Sequence, residues 1–186
     1  MEDSDRLIPA HGGFRELKSY QSAEIVYDAT VRFCDRFVDR RSRTHDQMVQ
    51  AARSGKQNIA EGSEASSTSK KTELKLVGVA GASLEELLLD YHDLLRLRGW
   101  KPWGKDHPMA QAVRRLAYEQ NRSYRTYRAY IEQSSIEVAA NTVICLIHQT
   151  NYLLDRQLRH LERQFLEAGG FTERLYRVRS KRRRVW

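Results

Sequence analysis

Arginine and tyrosine each recur every three residues in one short segment of this chain. The arginines are Arg122, Arg125 and Arg128, and the tyrosines are Tyr124, Tyr127 and Tyr130. A step of three residues drifts by about 60° around an α-helix, so a helix here carries two adjacent slanting stripes. Guanidinium groups bind phosphate through paired hydrogen bonds, and tyrosine rings such as those of Tyr124 and Tyr127 stack on unpaired bases. The pattern indicates a nucleic-acid surface, or a helix that packs its tyrosines inward and leaves its arginines in water; both can hold together.

A second basic cluster lies at the end of the chain. Six of the eight residues from 177 to 184 are Arg or Lys, and none is acidic. The basic residues of this end are Arg174, Arg177, Arg179, Lys181, Arg182, Arg183 and Arg184. Such a run can contact several phosphates without reading sequence, and each contact steepens the salt dependence of binding. The terminal Trp186 either stacks on a base or anchors this arm to the rest of the protein.

Positive charge is concentrated in two stretches of a chain whose net charge is +8. Residues 96–128, which include Arg114 and Arg115, hold nine Arg or Lys and two acids, and residues 156–186 hold ten against three. The rest of the chain is slightly acidic. Solubility alone does not require this segregation. Concentrated positive charge is typical of proteins with a polyanionic partner, most often nucleic acid.

The residues that could support catalysis or metal binding form no recognisable site. The histidines are scattered, and the chain has neither an HExxH motif nor a glycine-rich phosphate loop. Cys145 and His148 share a helix face, but two ligands do not make a zinc site. His92 lies near Glu85 and Glu86 without the paired Glu-x-x-His motifs that a di-metal bundle needs. We therefore predict a non-enzymatic protein with no cofactor and no metal.

The composition and the hydrophobic spacing predict an all-α protein. Apolar residues recur at three- and four-residue steps, and no strand-like alternation competes with them. The predicted segments are a mobile leader at 1–13, helices at 19–38, 44–62, 69–98, 109–133 and 134–168, and a basic arm at 169–186. Thr44 is expected to begin the second helix in a capping box, and Gly62 and Gly99 to end the second and third helices.

Long helices joined by short connections pack as antiparallel neighbours. The predicted fold is therefore an elongated antiparallel four-helix bundle over residues 14–168, with an additional C-terminal helical segment and the basic arm.

Small residues occupy the middle of the third predicted helix. Gly78 and Gly81 each cost roughly 1 kcal/mol in a helix relative to alanine, so close approach of another helix is expected to offset them. The preferred partner is the group Gly55, Ala51 and Ala52 on the second helix. A contact between subunits is the alternative.

Several short segments resemble one known family. They are Asn58-Ile59-Ala60-Glu61-Gly62, Ala82-Ser83-Leu84-Glu85-Glu86-Leu87, Phe14-Arg15-Glu16-Leu17-Lys18 and Tyr20-Gln21. Together they resemble the four-helix bundle family named after proteins encoded by intervening sequences in bacterial 23S ribosomal RNA genes. That family also includes the accessory proteins of diversity-generating retroelements. The resemblance covers residues 14–98. A loop with a basic helix (99–133) and a long last helix (134–168) follow, and parts of this second half look like the C-terminal extension of a subgroup.

The resemblance implies a bundle that assembles with its own copies, in some cases as a ring, and a role near nucleic acid. It does not imply catalysis, and for the retroelement members it implies binding to a reverse transcriptase and RNA. Within the motifs, Asn58 and Glu61 share a helix face and are expected to hydrogen-bond a neighbouring helix or subunit, with a direct ligand role as the alternative. Glu86 belongs to the motif of the third helix.

These observations predict a cytoplasmic bacterial protein that binds nucleic acid through phosphates, with RNA favoured over DNA. Cys34 and Cys145 lie far apart without a CxxC spacing, which favours reduced thiols in the cytoplasm over one disulfide. No targeting signal and no membrane-spanning apolar run is expected. The alternative function is that of a protein-interaction accessory subunit of a reverse transcriptase or another nucleic-acid enzyme.

Overall fold

The computed structural model describes residues 13–183, and this part of the chain is helical with no β-strand. The helices are α1 (Lys18–Phe37), α2 (Arg43–Ala65), α3 (Lys70–Leu97), α4 (Pro108–Arg115), α5 (Tyr124–Glu132), α6 (Ile136–Ala168) and α7 (Phe171–Arg183), with short 3-10 turns at Phe14–Glu16 and Leu116–Tyr118. The predicted all-α class is confirmed. The residues predicted as a mobile leader, apart from Gly13, lie outside the described part of the chain.

The four long helices share one apolar core. α1 packs against α2 and α6, and α3 packs against the same two helices. Across the centre, the Tyr91 hydroxyl of α3 donates to Thr30 Oγ1 of α1 at 3.3 Å, and the Tyr91 ring meets Phe33 edge-on at 5.0 Å. Tyr91 and Phe33 are fully buried, so α1 and α3 face each other through the core.

α2 and α3 approach closely because α2 has glycine where it faces α3. A Cβ on Gly55 would lie 2.7 Å from Leu84 Cδ2, and one on Gly62 would lie 3.4 Å from both Glu73 O and Leu76 Cβ. The two helices therefore run in opposite directions. The prediction that Gly62 ends the second helix is wrong, because Gly62 is buried inside α2, which continues to Ala65.

The prediction that Gly78 and Gly81 pack against the second helix is also wrong. A Cβ on either would meet nothing within 4 Å. The side of α3 that faces α2 carries Ala80 and Ser83 instead, and the Ser83 hydroxyl hydrogen-bonds that of Ser54 at 3.1 Å. The two glycines point away from α2, so nothing in the described chain offsets their cost.

Polar side chains and glycines set most helix boundaries. Ser42 caps α2 by accepting from the His45 backbone N–H at 3.2 Å, so the predicted start at Thr44 is one residue late. Ser69 and Ser135 cap α3 and α6 in the same way. Gly99 has the predicted left-handed conformation, with φ of 72°, and lies just after the end of α3.

The single helix predicted for residues 109–133 is wrong. The chain forms α4 and then α5, separated by a turn in which Asn121 has φ of 58°. α5 begins after Ser123, whose backbone N–H donates to Thr126 Oγ1 at 3.3 Å. Asparagine tolerates the left-handed region through local hydrogen bonding, so the helix pattern can break here without glycine or proline. α4 packs on α6, and α5 packs on α1 and α6.

The basic arm continues as a helix after α6. Gly169, with φ of 72°, ends α6, and the Glu173 carboxylate accepts from the Gly170 backbone N–H at 2.8 Å. Within the part of the chain that the structure describes, α7 has no extensive packing contact with another helix. Within residues 13–183, no helix is both long enough and apolar enough to cross a membrane.

Candidate nucleic-acid interface

A cleft of about 1350 Å³ lies between the first half of α1, the middle of α6 and the segment that joins α4 to α5. Two hydrogen bonds hold α1 against α6 beside it: Ser19 Oγ donates to Gln157 Oε1 at 2.6 Å, and the hydroxyls of Ser22 and Thr150 meet at 2.8 Å. Because residue numbers rise along α1 while those of the paired residues fall along α6, the two helices run in opposite directions. The cleft is the place where the C-terminal half of the chain folds back over the start of α1.

Basic side chains from six separate segments line this cleft. They are Arg15, Lys18, Lys105, Arg114, Arg122 and Arg156. Three acidic residues, Glu24, Asp28 and Glu119, also line it, so the lining carries three more positive than negative charges. Arg15 and Lys18 belong to the acidic half of the sequence. They reach the cleft because the start of α1 packs beside residue 157 of α6.

Arg114 is held in position by the backbone around it. Its Nε donates to the Ala110 carbonyl at 3.2 Å, and a terminal nitrogen donates to the Lys105 carbonyl. A guanidinium has five N–H donors, so these contacts fix the group while leaving others for an anion. Arg114 is therefore a preorganised cation of the cleft.

Two exposed tyrosines stand on the cleft walls. Tyr118, at the end of the 3-10 turn, is 89% exposed, and Tyr152 of α6 is 61% exposed. The guanidinium of Arg156 lies 6.0 Å from the centre of the Tyr152 ring. Trp103 also lines the cleft, and its ring stacks on His107 with 5.1 Å between ring centres. Neither exposed tyrosine belongs to a recognisable sequence pattern, because exposure depends on which helix faces are covered.

The side of the cleft on α6 carries a thiol and an imidazole that are both uncharged at neutral pH. Burial raises the pKa of the Cys145 thiol to about 11, so it is protonated at neutral pH. Burial, with help from His92 and Arg114, lowers the pKa of His148, so its imidazole is neutral there. Both side-chain amide atoms of Gln149 are buried and have no hydrogen-bond partner among the described residues. No group of three or more His, Cys, Asp or Glu that could hold a metal is found in residues 13–183.

The acidic side chains on the α1 wall oppose anion binding. Burial raises the pKa of the Asp28 carboxyl, and the neighbouring Glu24 raises it further, while Lys56 and Arg32 act in the opposite direction. Asp28 therefore loses its charge at a higher pH than an ordinary aspartate does.

The tyrosines of the arginine–tyrosine segment pack inward. Tyr127 is completely buried, so the prediction that it stacks on a base is wrong. Tyr124 is half-buried at the cleft edge, and its hydroxyl donates to Glu132 Oε1 at 2.8 Å. Burial and this hydrogen bond raise its pKa. Arg128 forms an ion pair with the same Glu132 at 2.7 Å.

The predicted nucleic-acid residues do not all come together. Of the three arginines in that segment, Arg122 lines the cleft, whereas Arg125 and Arg128 are exposed elsewhere on α5. Arg115 is exposed on α4. Of the C-terminal arm, Arg174, Arg177 and Arg179 lie on α7 and do not line the cleft. Lys181, Arg182 and Arg183 also belong to α7. Arg184 and Trp186 lie outside the described residues.

The residues of the family-like motifs, Asn58, Glu61 and Glu86, lie on α2 and α3, away from the cleft. The Asn58 side-chain amide donates to the Ser54 carbonyl at 2.9 Å and to its hydroxyl at 3.1 Å, so these bonds stay within α2. Glu61 and Glu86 are exposed on α2 and α3. None of the three lines the cleft.

Comparison of the chain with protein-family models, with curated proteins and with solved structures finds no match.

Proposed function

We propose that this protein is a non-enzymatic scaffold that binds nucleic acid, RNA rather than DNA, through phosphate contacts in the cleft and along α7. The observation that carries the proposal is the meeting of six basic side chains from separate segments in one cleft. Folding has brought together like charges that repel one another. An anionic ligand offsets that repulsion, and a chain of phosphates is the anion that several separated cations suit best.

The scaffold in this proposal is an antiparallel four-helix bundle of α1, α2, α3 and α6, as in the family that the sequence resembles. Its support is the packing of α1 and α3 against the same two helices, together with the opposite directions of α1 and α6 and of α2 and α3. The cytoplasm is the proposed location, and both cysteines are free and buried.

The test is a titration of labelled RNA, and of DNA of the same sequence, against salt concentration. The cleft variant carries Lys18→Gln and Arg156→Gln, both at exposed side chains. The matched control carries Arg53→Gln and Lys75→Gln, which remove the same charge from exposed positions on α2 and α3.

Each phosphate contact on a single strand contributes about −0.7 to the slope of log K against log salt. Loss of two contacts should therefore flatten the slope by about 1.4. If variant and wild type bind equally at 1 M salt, the variant should then bind about 25-fold more weakly than wild type at 0.1 M salt. The control should keep the wild-type slope. Equal effects of the two double variants would refute a role for the cleft, and tighter binding of DNA than of RNA would refute the preference for RNA.

The contribution of α7 is tested by ending the chain after Gly170. Among residues 13–183, α7 has no extensive packing contact with another helix, so the truncated protein should keep the fold of the other helices. Its salt slope should be flatter than that of the full chain, because several basic side chains are lost. An unchanged affinity and slope would remove α7 from the proposal.

A second candidate function is protein interaction, as an accessory subunit of a reverse transcriptase or another nucleic-acid enzyme, or as a homo-oligomer such as a ring. The observation that favours it is the outer face of α3, where Leu89 and Leu97 are 64% and 76% exposed. Gly78 and Gly81 leave open space on α3, as a close helix contact from another chain requires. Co-purification that survives nuclease and high salt would support a protein partner. A monomer with no such partner would refute this function.

A further inference from the structure

We infer that the cleft binds a single-stranded segment of nucleic acid, with unpaired bases stacked on Tyr118 and Tyr152 and phosphates held by the basic side chains around them. The inference rests on the proposed function and assigns its ligand class. It adds two residues, Tyr118 and Tyr152, to which the sequence patterns gave no role.

The shape of the site favours a strand over a duplex or a small molecule. Proteins read a duplex with elements that protrude into a groove or lie across its surface. Here the cations line a concave cleft. Its volume of 1350 Å³ exceeds the roughly 300–1,000 Å³ of ordinary small-molecule pockets. A flexible strand can enter such a cleft, whereas a duplex would contact only its rim.

The length of the site is set by α6. The α6 residues that line the cleft run from Ile144 to Arg156. At 1.5 Å per residue, these twelve steps along the helix span about 18 Å. Stacked nucleotides follow one another at about 3.4 Å along a strand, so roughly five nucleotides cover this distance.

Two exposed aromatic side chains, Tyr118 and Tyr152, line the same stretch of the cleft. Tyr152 is on α6 between Cys145 and Arg156, and Tyr118 stands on the wall formed by the segment after α4. Both rings are exposed, although burial of such large rings would be favourable. A positively charged groove with exposed aromatic rings is the arrangement that binds single strands without sequence preference, because every base has a face that can stack.

Gln149 provides an independent pointer to a base. Its amide nitrogen and oxygen are both buried beside the cleft without partners among the described residues. An unpaired buried donor and acceptor are unfavourable. The edge of an unpaired base presents neighbouring donors and acceptors, so a base seated near Tyr152 can satisfy both atoms of the amide once the Gln149 side chain turns toward the cleft.

The experiment measures fluorescence anisotropy of a labelled single strand of five nucleotides, of the same strand in a duplex, and of a mononucleotide, with the full chain. The variants are Tyr118→Ala and Tyr152→Ala. Tyr152→Phe keeps the ring, and Leu166→Ala removes a large apolar side chain that is 75% exposed near the end of α6, outside the cleft. All three positions are exposed in the wild-type protein, and circular dichroism verifies that each variant folds.

The single strand should bind more tightly than the duplex and the mononucleotide. Tyr118→Ala and Tyr152→Ala should each weaken it roughly 5- to 150-fold without changing the salt slope, because stacking and not charge is lost. Tyr152→Phe and Leu166→Ala should bind like wild type. Equal losses in Tyr152→Ala and Leu166→Ala, or tighter binding of the duplex or the mononucleotide, would overturn the inference.

The two sets of variants distinguish base stacking in the cleft from phosphate binding. If Lys18→Gln with Arg156→Gln flattens the salt slope while both cleft Tyr→Ala variants bind normally, the cleft binds phosphates without stacking bases. If no RNA or DNA binds the wild-type chain, the proposed function itself fails.

Discussion

Replacing Gly55 with alanine should separate α2 from α3 and destabilise the protein. The added Cβ would lie 2.7 Å from Leu84 Cδ2 and 2.8 Å from Leu84 Cγ. Carbon atoms in contact are ordinarily about 3.5–4.0 Å apart, so one side chain or helix must move by roughly 1 Å. Leu84 is completely buried in the core and has little freedom to move.

Two effects of opposite sign decide the magnitude. Overpacking of a well-filled core costs about 1–3 kcal/mol. Alanine in place of glycine within a helix returns about 1 kcal/mol. The net loss for Gly55→Ala is therefore about 1 kcal/mol, with a range from near zero to about 2.

Gly78→Ala is the matched control, because its Cβ would meet nothing within 4 Å. It carries the same change in helix propensity without the clash, so it should stabilise the protein by up to about 1 kcal/mol. The difference between the two variants, about 1–3 kcal/mol, then isolates the contact with Leu84. Gly62→Ala, with contacts of 3.4 Å, should fall between them.

Urea unfolding followed by circular dichroism measures these differences. An m-value of about 2 kcal/mol/M turns a difference of about 2 kcal/mol into a shift of about 1 M in the midpoint. Equal midpoints for Gly55→Ala and Gly78→Ala would refute the close approach of α2 and α3. A loss of stability in Gly78→Ala that depends on protein concentration would instead place Gly78 in a contact between subunits.

Three further predictions follow from the surroundings of single side chains. Because burial raises the pKa of Asp28 above 3.8, the folded state binds this proton more readily than the unfolded state does. As pH falls toward that pKa, the stability contributed by this group and the affinity for RNA should therefore both rise. In Asp28→Asn, a titration of RNA affinity against pH should show higher affinity at neutral pH and a weaker dependence of affinity on pH. Burial raises the pKa of the Cys145 thiol to about 11, so this thiol should resist alkylation in the native protein at neutral pH and react after unfolding in urea. Mass spectrometry measures the labelling, and fast labelling of the native protein would contradict the buried position. Tyr124→Phe removes the hydrogen bond to Glu132 and should cost about 1 kcal/mol in urea unfolding, whereas Tyr130→Phe, which forms no side-chain hydrogen bond among the described contacts, should cost less.

Local sequence signals are enough to predict the helical class and most helix boundaries. Amphipathic spacing, serine at the starts of α3 and α6, and Gly99 and Gly169 after the ends of α3 and α6 are local signals, and the predicted boundaries there agree with the structure to within two residues. The break at Asn121 was missed, because an asparagine in the left-handed region leaves no signal as strong as glycine or proline.

Which residues of one type share a surface depends on how the helices pack against each other. The sequence marked Gly55, Gly78 and Gly81 alike, but only Gly55 faces another helix, because the packing of α2 on α3 selects one side of each. In the same way, Tyr127 is buried beneath α5 while Tyr118 and Tyr152 are exposed.

Local charge density could be read from the sequence, but the cleft could not. It takes Arg15 and Lys18 from the acidic half and Arg114, Arg122 and Arg156 from the basic half, and it excludes Arg125 and Arg128. These cations meet because hydrogen bonds and apolar packing bring the start of α1 beside α6. Charge is a property of each residue, whereas the distance between charges depends on how the helices pack.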